Sequence, residues 1–178
     1  MSAPFPFLSR LLHWLMAILI VAMLLIGAGM ANTVSPRYHC LVAIHEPLGI
    51  AILALVLIRF ANRLFNPPPP LPPMPRLQRY AAHASHWLLY LLMFTIPLVG
   101  WAMLSAGDMP IVLHGGLRLP HILPPNAALY SALRGLHGAL ATLLYAVFLL
   151  HLAAALLHGL IRRDGVFGSM ASLKPRVK

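Results

Sequence analysis

Acidic side chains are nearly absent from this chain. Glu46, Asp108 and Asp164 are the only three in 178 residues, against thirteen lysines and arginines. That scarcity excludes a di-iron carboxylate centre, which draws several Glu ligands from the helices of a bundle. Cysteine is scarcer still. Cys40 stands alone, which excludes an intramolecular disulfide, a four-thiolate iron–sulfur site and covalent c-type haem attachment. It reads as a small apolar residue at a helix start. The chain also lacks an internal repeat, a phosphate-binding glycine loop and a nucleophile triad pattern.

What the chain has is hydrocarbon. It is 60% hydrophobic and 9% charged, with a mean hydropathy of +0.83 and an isoelectric point of about 11.2. Soluble domains carry about a quarter charged residues, so this is a membrane composition. A nucleic-acid surface would also be basic, but it needs a basic face with motif support. Here the basic residues sit at the ends of apolar runs, so the expected partner is a lipid bilayer and not nucleic acid.

A helical span needs about 20 mostly apolar residues, and four stretches qualify: 9–30, 41–63, 82–104 and 135–160. The first is longer than a signal-peptide core of about 7–15 residues and contains His13 and Trp14, so it reads as a retained helix. Arg10, Arg59, Arg63, Arg76, Arg79, Arg162, Arg163, Lys174, Arg176 and Lys178 fall on one side, and only Arg37, Arg118 and Arg134 on the other. Basic residues collect on the cytoplasmic side. The expected architecture is therefore an all-α, integral membrane four-helix bundle in one domain, residues 1–178, with both termini cytoplasmic. Trp14, Trp87 and Trp101 near span ends suit the interface. "NPPPPLPPMPR" reads as a stiff linker. The apolar loop 105–134 reads as an outer lid with a short interfacial helix.

Histidine in a membrane span is a functional candidate, because a polar ring there needs a partner. His137 and His151 are fourteen residues apart, which leaves them within about 40° on one helix face and about 21 Å apart in depth. Helices that alternate in direction bring His45 level with His137 at the outer side, and His13 level with His151 at the inner side. Two pairs result. Structural zinc wants four ligands, and nothing supplies two more at each depth. A proton or cation path would use more carboxylate than Glu46 provides. A b-type haem needs two axial imidazoles on opposing helices and an apolar slot, which this pattern offers. Gly27, Gly29, Gly49 and Gly138 open space for a flat ring or serve ordinary helix packing.

The segments "RLLHWLMA", "IHEPLGIAILALVLIRFANRL", "AAHASHWLLYLLMFTIPLVGWAM" and "LHGALATLLYAVFLLHLAAALLH" cover most of the chain. Together they resemble the bacterial four-helix cytochrome b561 family of the compact stand-alone type. The resemblance implies two haem b groups, the periplasmic-side one on His45 and His137 and the cytoplasmic-side one on His13 and His151, as axial ligands to iron. It further implies an inner-membrane superoxide:quinone oxidoreductase that takes electrons from superoxide in the periplasm and reduces ubiquinone. The competing readings are an electron-transfer subunit docking a separate dehydrogenase or carrier, and a non-redox metal transporter or scaffold. Arg37, Arg118 and Arg134 are candidates for anion steering, or for lipid or propionate pairing. His158, Arg162 and His86 are candidates for a quinone site. His83 and His86 are alternatives to His13 as inner ligand. His39, His114 and His121 read as solvated, and Glu46 as an interfacial residue at a helix start.

Overall fold

The computed structural model describes residues 5–70 and 73–171, apart from the side chain of His114. Lys174, Arg176 and Lys178, counted above for orientation, lie outside the described residues, as do Leu71 and Pro72 of the proline-rich linker. The helices are α1 (Phe7–Ala31), α2 (Arg37–Phe65), α3 (Arg76–Ala106), α4 (Ala127–Leu156) and the short α5 (Val166–Ala171). Each of the first four is longer than its apolar core, because backbone polar groups in lipid are satisfied only by continuing the helix to the interface. α4 gains most at its start, where the Asn126 side chain caps the Leu129 N–H at 2.9 Å.

Proline marks the other starts. Pro6, Pro36 and Pro75 precede α1, α2 and α3, where a missing N–H costs nothing. Pro47 and Pro97 lie inside α2 and α3, which membrane helices tolerate when neighbours re-satisfy the freed carbonyl.

α1 packs on α2, α2 on α3 and α3 on α4, while no comparable packing joins α4 to α1 or α2. Met16, Leu53 and Val56 form one core cluster, and Leu92, Leu144 and Val147 a second. The most apolar window of α4 is only 11% buried, so most of its hydrocarbon serves a lipid-facing surface rather than a core. Asn62 Nδ2 donates to Ser9 Oγ at 2.7 Å and ties α2 to α1, the kind of polar bond that holds helices together in lipid.

Both described ends of the chain meet at one end of the bundle. Phe5 N–H donates to the Ser169 carbonyl at 3.0 Å, and Trp14 Nε1 to the Met170 carbonyl at 3.2 Å. α5 thus clasps α1 at this terminal end. At the distal end, the loop between α3 and α4 differs from expectation. In place of an interfacial helix there is a small hairpin, with one bridge between Val112 and Arg118 and a single 3-10 turn at His114–Gly116. Gly115 and Gly116 both take φ of 79°, a left-handed conformation that favours glycine and breaks any helix there. Ser105 Oγ accepts from Ile122 N–H at 3.2 Å and pins the loop to α3.

Candidate functional site

Helix rise and direction bring the four selected histidines into two pairs. At the distal end His45 of α2 faces His137 of α4, with ring centres 6.1 Å apart and planes at 68°. At the terminal end His13 of α1 faces His151 of α4 at 6.4 Å and 64°. These rings reach across the side where α4 lacks close packing against α1 and α2.

Two imidazole nitrogens each bonded to one metal at about 2 Å place their ring centres about 6 Å apart. Both pairs match that spacing. Among the described residues no group of three or more His, Cys, Asp or Glu side chains converges on a metal ion. A bare ion held by two imidazoles would lack half its ligands, whereas haem brings four of its own and asks the protein for the axial pair. Buried, unpartnered ring nitrogens fit the same reading: Nδ1 of His45 and Nδ1 of His137 have no hydrogen bond. The acceptor facing His137 is the Ile96 carbonyl, without the alignment of a true bond. Ligating histidines commonly donate their second N–H to such a carbonyl.

Gly100 of α3, which the sequence did not single out, sets this position. A Cβ there would stand 3.2 Å from His137 Cε1 and 3.4 Å from its Nδ1, so the ring lies directly against the α3 backbone. Its signal in the sequence was a glycine three residues beyond Pro97. Gly27 lies near His45, where a Cβ would be 3.8 Å from Cε1, and Gly138 faces open space.

The terminal-end pair is more crowded. His86 of α3 comes within 5.4 Å of His151, ring centre to ring centre. That is shorter than two metal–imidazole bonds require, so spacing favours His13 as the partner of His151. Arg59 Nη2 meets His13 Nδ1 at 3.1 Å, and Arg59 Nε donates to the Tyr90 hydroxyl at 3.0 Å. Arg63 also lies over the Tyr90 ring, at 5.7 Å. His83 is exposed, and Glu46 lies half-buried inside α2 rather than at its start.

His158 sits on a wide π turn, Leu157–Arg162, that extends α4. It is bound to Gln78 of α3 and to Asp164, partners that sequence reasoning missed. Burial works to raise the Asp164 carboxyl, but the His158 hydrogen bond and the Val166 N–H outweigh it and hold the group below the usual carboxylate range. Arg162 is exposed, and His86 lies with His151 rather than with His158. Arg37, Arg118 and Arg134 are all exposed. Of these, Arg134 lines a distal surface cavity of about 580 Å³ with Thr33, Ser35, Tyr38 and His39. His121 lies 3.7 Å from Asp108.

The family model for prokaryotic cytochrome b561 matches residues 5–172. A probable superoxide oxidase CybB of Yersinia pestis is 32% identical over 166 residues, 92% of this chain and 93% of that protein. Cytochrome b561 homolog 2 of Escherichia coli (strain K12) is likewise 32% identical over 166 residues, covering 92% of this chain and 88% of its own length. With four membrane-length helices and two facing histidine pairs, the chain belongs to the prokaryotic cytochrome b561 family of electron-transfer membrane proteins.

Proposed function

We propose that this cytochrome carries two b haems, oxidises superoxide at the periplasmic face and reduces ubiquinone near the cytoplasmic face. The observation that carries it is the pair of histidine pairs at 6.1 and 6.4 Å, separated by about 21 Å along α4. The excess of Arg and Lys on the terminal side supports placing both termini in the cytoplasm. That orientation makes His45 and His137 the periplasmic ligands, and His13 and His151 the cytoplasmic ones. Haem at each pair supplies one-electron chemistry, which suits superoxide as a one-electron donor.

The protein's part is binding and steering. His45 and His137 hold the outer group at the end of the bundle where Arg37, Arg118 and Arg134 are exposed. With no carboxylate but Glu46 and Asp108 on that half, the field there is positive and attracts a small anion. At the cytoplasmic end, His158 offers a polar contact for a quinone carbonyl beside lipid, with Arg162 and His86 as further candidates. The name of the Yersinia pestis relative, a probable superoxide oxidase, supports the choice of donor.

The test is a haem count and a turnover assay on the purified chain. The expected result is two b haems per chain and ubiquinone reduction driven by superoxide faster than spontaneous dismutation. One haem per chain sinks the two-site reading. Full haem without superoxide-driven turnover would point to a membrane subunit that serves a separate dehydrogenase or carrier.

A further inference from the structure

His158 stands outside both histidine pairs, yet it is held from two sides. Its Nδ1 meets Asp164 Oδ2 at 2.5 Å, and its Nε2 meets the Gln78 amide Nε2 at 3.0 Å. Asp164 is anchored in turn by the Val166 N–H on its other oxygen, at 3.2 Å. An amide nitrogen only donates, so Nε2 of His158 accepts, and the proton of the neutral ring is assigned to Nδ1, facing the carboxylate. The His158 side chain is 11% exposed and that of Asp164 30%, so the pair runs from water into the protein. The turn that carries His158 is a π turn, a departure from α geometry often found at functional sites. Gly159 lets α5 close against it, since a Cβ there would meet Phe167 Cγ at 3.0 Å.

We infer that Asp164 is the positioning residue of a proton-donating dyad, which holds His158 to protonate a quinone carbonyl at the place now taken by the Gln78 amide. This rests on the quinone reading above. A carboxylate that accepts Nδ1–H orients an imidazole and stabilises its protonated form, which leaves Nε2–H as a donor. Protonation therefore reverses the character of Nε2. It then repels the Gln78 amide nitrogen and attracts a carbonyl oxygen.

The reaction balances. Two superoxide ions each give up one electron and leave as dioxygen, and one quinone takes the two electrons and two protons to become quinol. His158 Nε2 supplies one proton to the nearer quinone oxygen, and cytoplasmic water supplies the second at the farther one. Water then reloads the ring. From α3 the group facing His158 is the uncharged Gln78, and α5 carries no titratable side chain. On its own segment Asp164 faces it, while Arg163 Nε turns back to the Leu160 carbonyl at 3.1 Å and Arg162 is exposed.

Two measurements test the dyad on the haem-loaded full chain. Proton NMR in detergent should show a strongly downfield Nδ1–H resonance, assigned by its loss in His158→Gln. It should vanish in Asp164→Asn and persist in Asp164→Glu; a resonance unchanged in Asp164→Asn overturns the assignment. Chain reduced beforehand with dithionite and mixed with a short-tail ubiquinone should be reoxidised about tenfold or more slowly in Asp164→Asn at pH 8. The slowing should be smaller at pH 6, where protons are abundant, and Asp164→Glu should recover most of the rate. A wild-type chain that the quinone does not reoxidise overturns the acceptor itself. A reoxidised wild type with an unslowed Asp164→Asn overturns only the role of the dyad.

Discussion

Valine at position 100 is the most direct test of the distal pair. Even alanine would put its Cβ 3.2 Å from His137 Cε1 and 3.4 Å from Nδ1, a few tenths of an ångström inside ordinary contact. Alanine also raises helix propensity by about 1 kcal/mol over glycine, so Gly100→Ala should keep the fold and both haems. Valine adds two methyl groups beyond that Cβ, with the His137 ring already against the backbone. Overpacking of this kind costs about 1–3 kcal/mol, which corresponds to about a 5- to 150-fold loss of affinity for the haem proposed at His137. Gly100→Val should therefore lower the haem content from two per chain toward one, measured by pyridine haemochrome against protein. The haem lost should be the one that His137→Ala removes, and the double variant should lose no more than either alone, because the two changes act on one contact. Gly135→Ala is the control. It lies two residues before His137, about 200° around α4, and a Cβ there meets nothing within 4 Å. Retention of both haems with an unchanged spectrum in Gly100→Val, or loss of the other haem, would refute the placement of His137 against α3.

At the terminal end, His13→Ala should remove the second haem while His86→Ala keeps it, read by the same haem count; the reverse result would make His86 the partner of His151. Arg59→Leu removes a positive charge 3.1 Å from the His13 ring. It should lower the midpoint potential of that centre by an amount on the order of tens of millivolts, since a nearby cation favours the form holding the extra electron; an unchanged or raised potential in a redox titration contradicts this. Asp164 has its folded carboxyl pKa lowered, so its contribution is fully present above the unfolded value and is lost as pH falls through the folded one. The grip of α5 on the bundle should therefore loosen below about pH 4, seen as faster proteolysis after Asp164. Asp164→Asn should be equally loose at pH 4 and pH 7.

Much of the site was legible before any fold was known. The depth of each histidine follows from its distance along a span and from the alternating direction of four helices, so His45 and His137 had to be level, as did His13 and His151. Depth can be counted along the chain because a lipid-spanning helix is regular and obliged to close its own hydrogen bonds. The extent of α4 was less legible. Its first turns, from Ala127, include Tyr130, Ser131 and Arg134, so the helix outruns the apolar run and an apolar-run search begins it late. The short interfacial helix expected between α3 and α4 is replaced by a hairpin for a local reason, the adjacent glycines at positive φ.

By itself, then, the amino-acid sequence determined four membrane helices, their alternation and the depth of every ring. Only the tertiary structure decided how each helix is rotated about its axis, and with it the lateral contacts. Those contacts put Gly100 under His137, Arg59 on His13, His86 beside His151, and Gln78 and Asp164 on His158. The physical reason is the solvent. In water a hydrophobic stripe shows which face of a helix turns inward, but lipid is as apolar as the core. Rotation is then set by packing and a few polar bonds, which become visible only when all four helices are assembled.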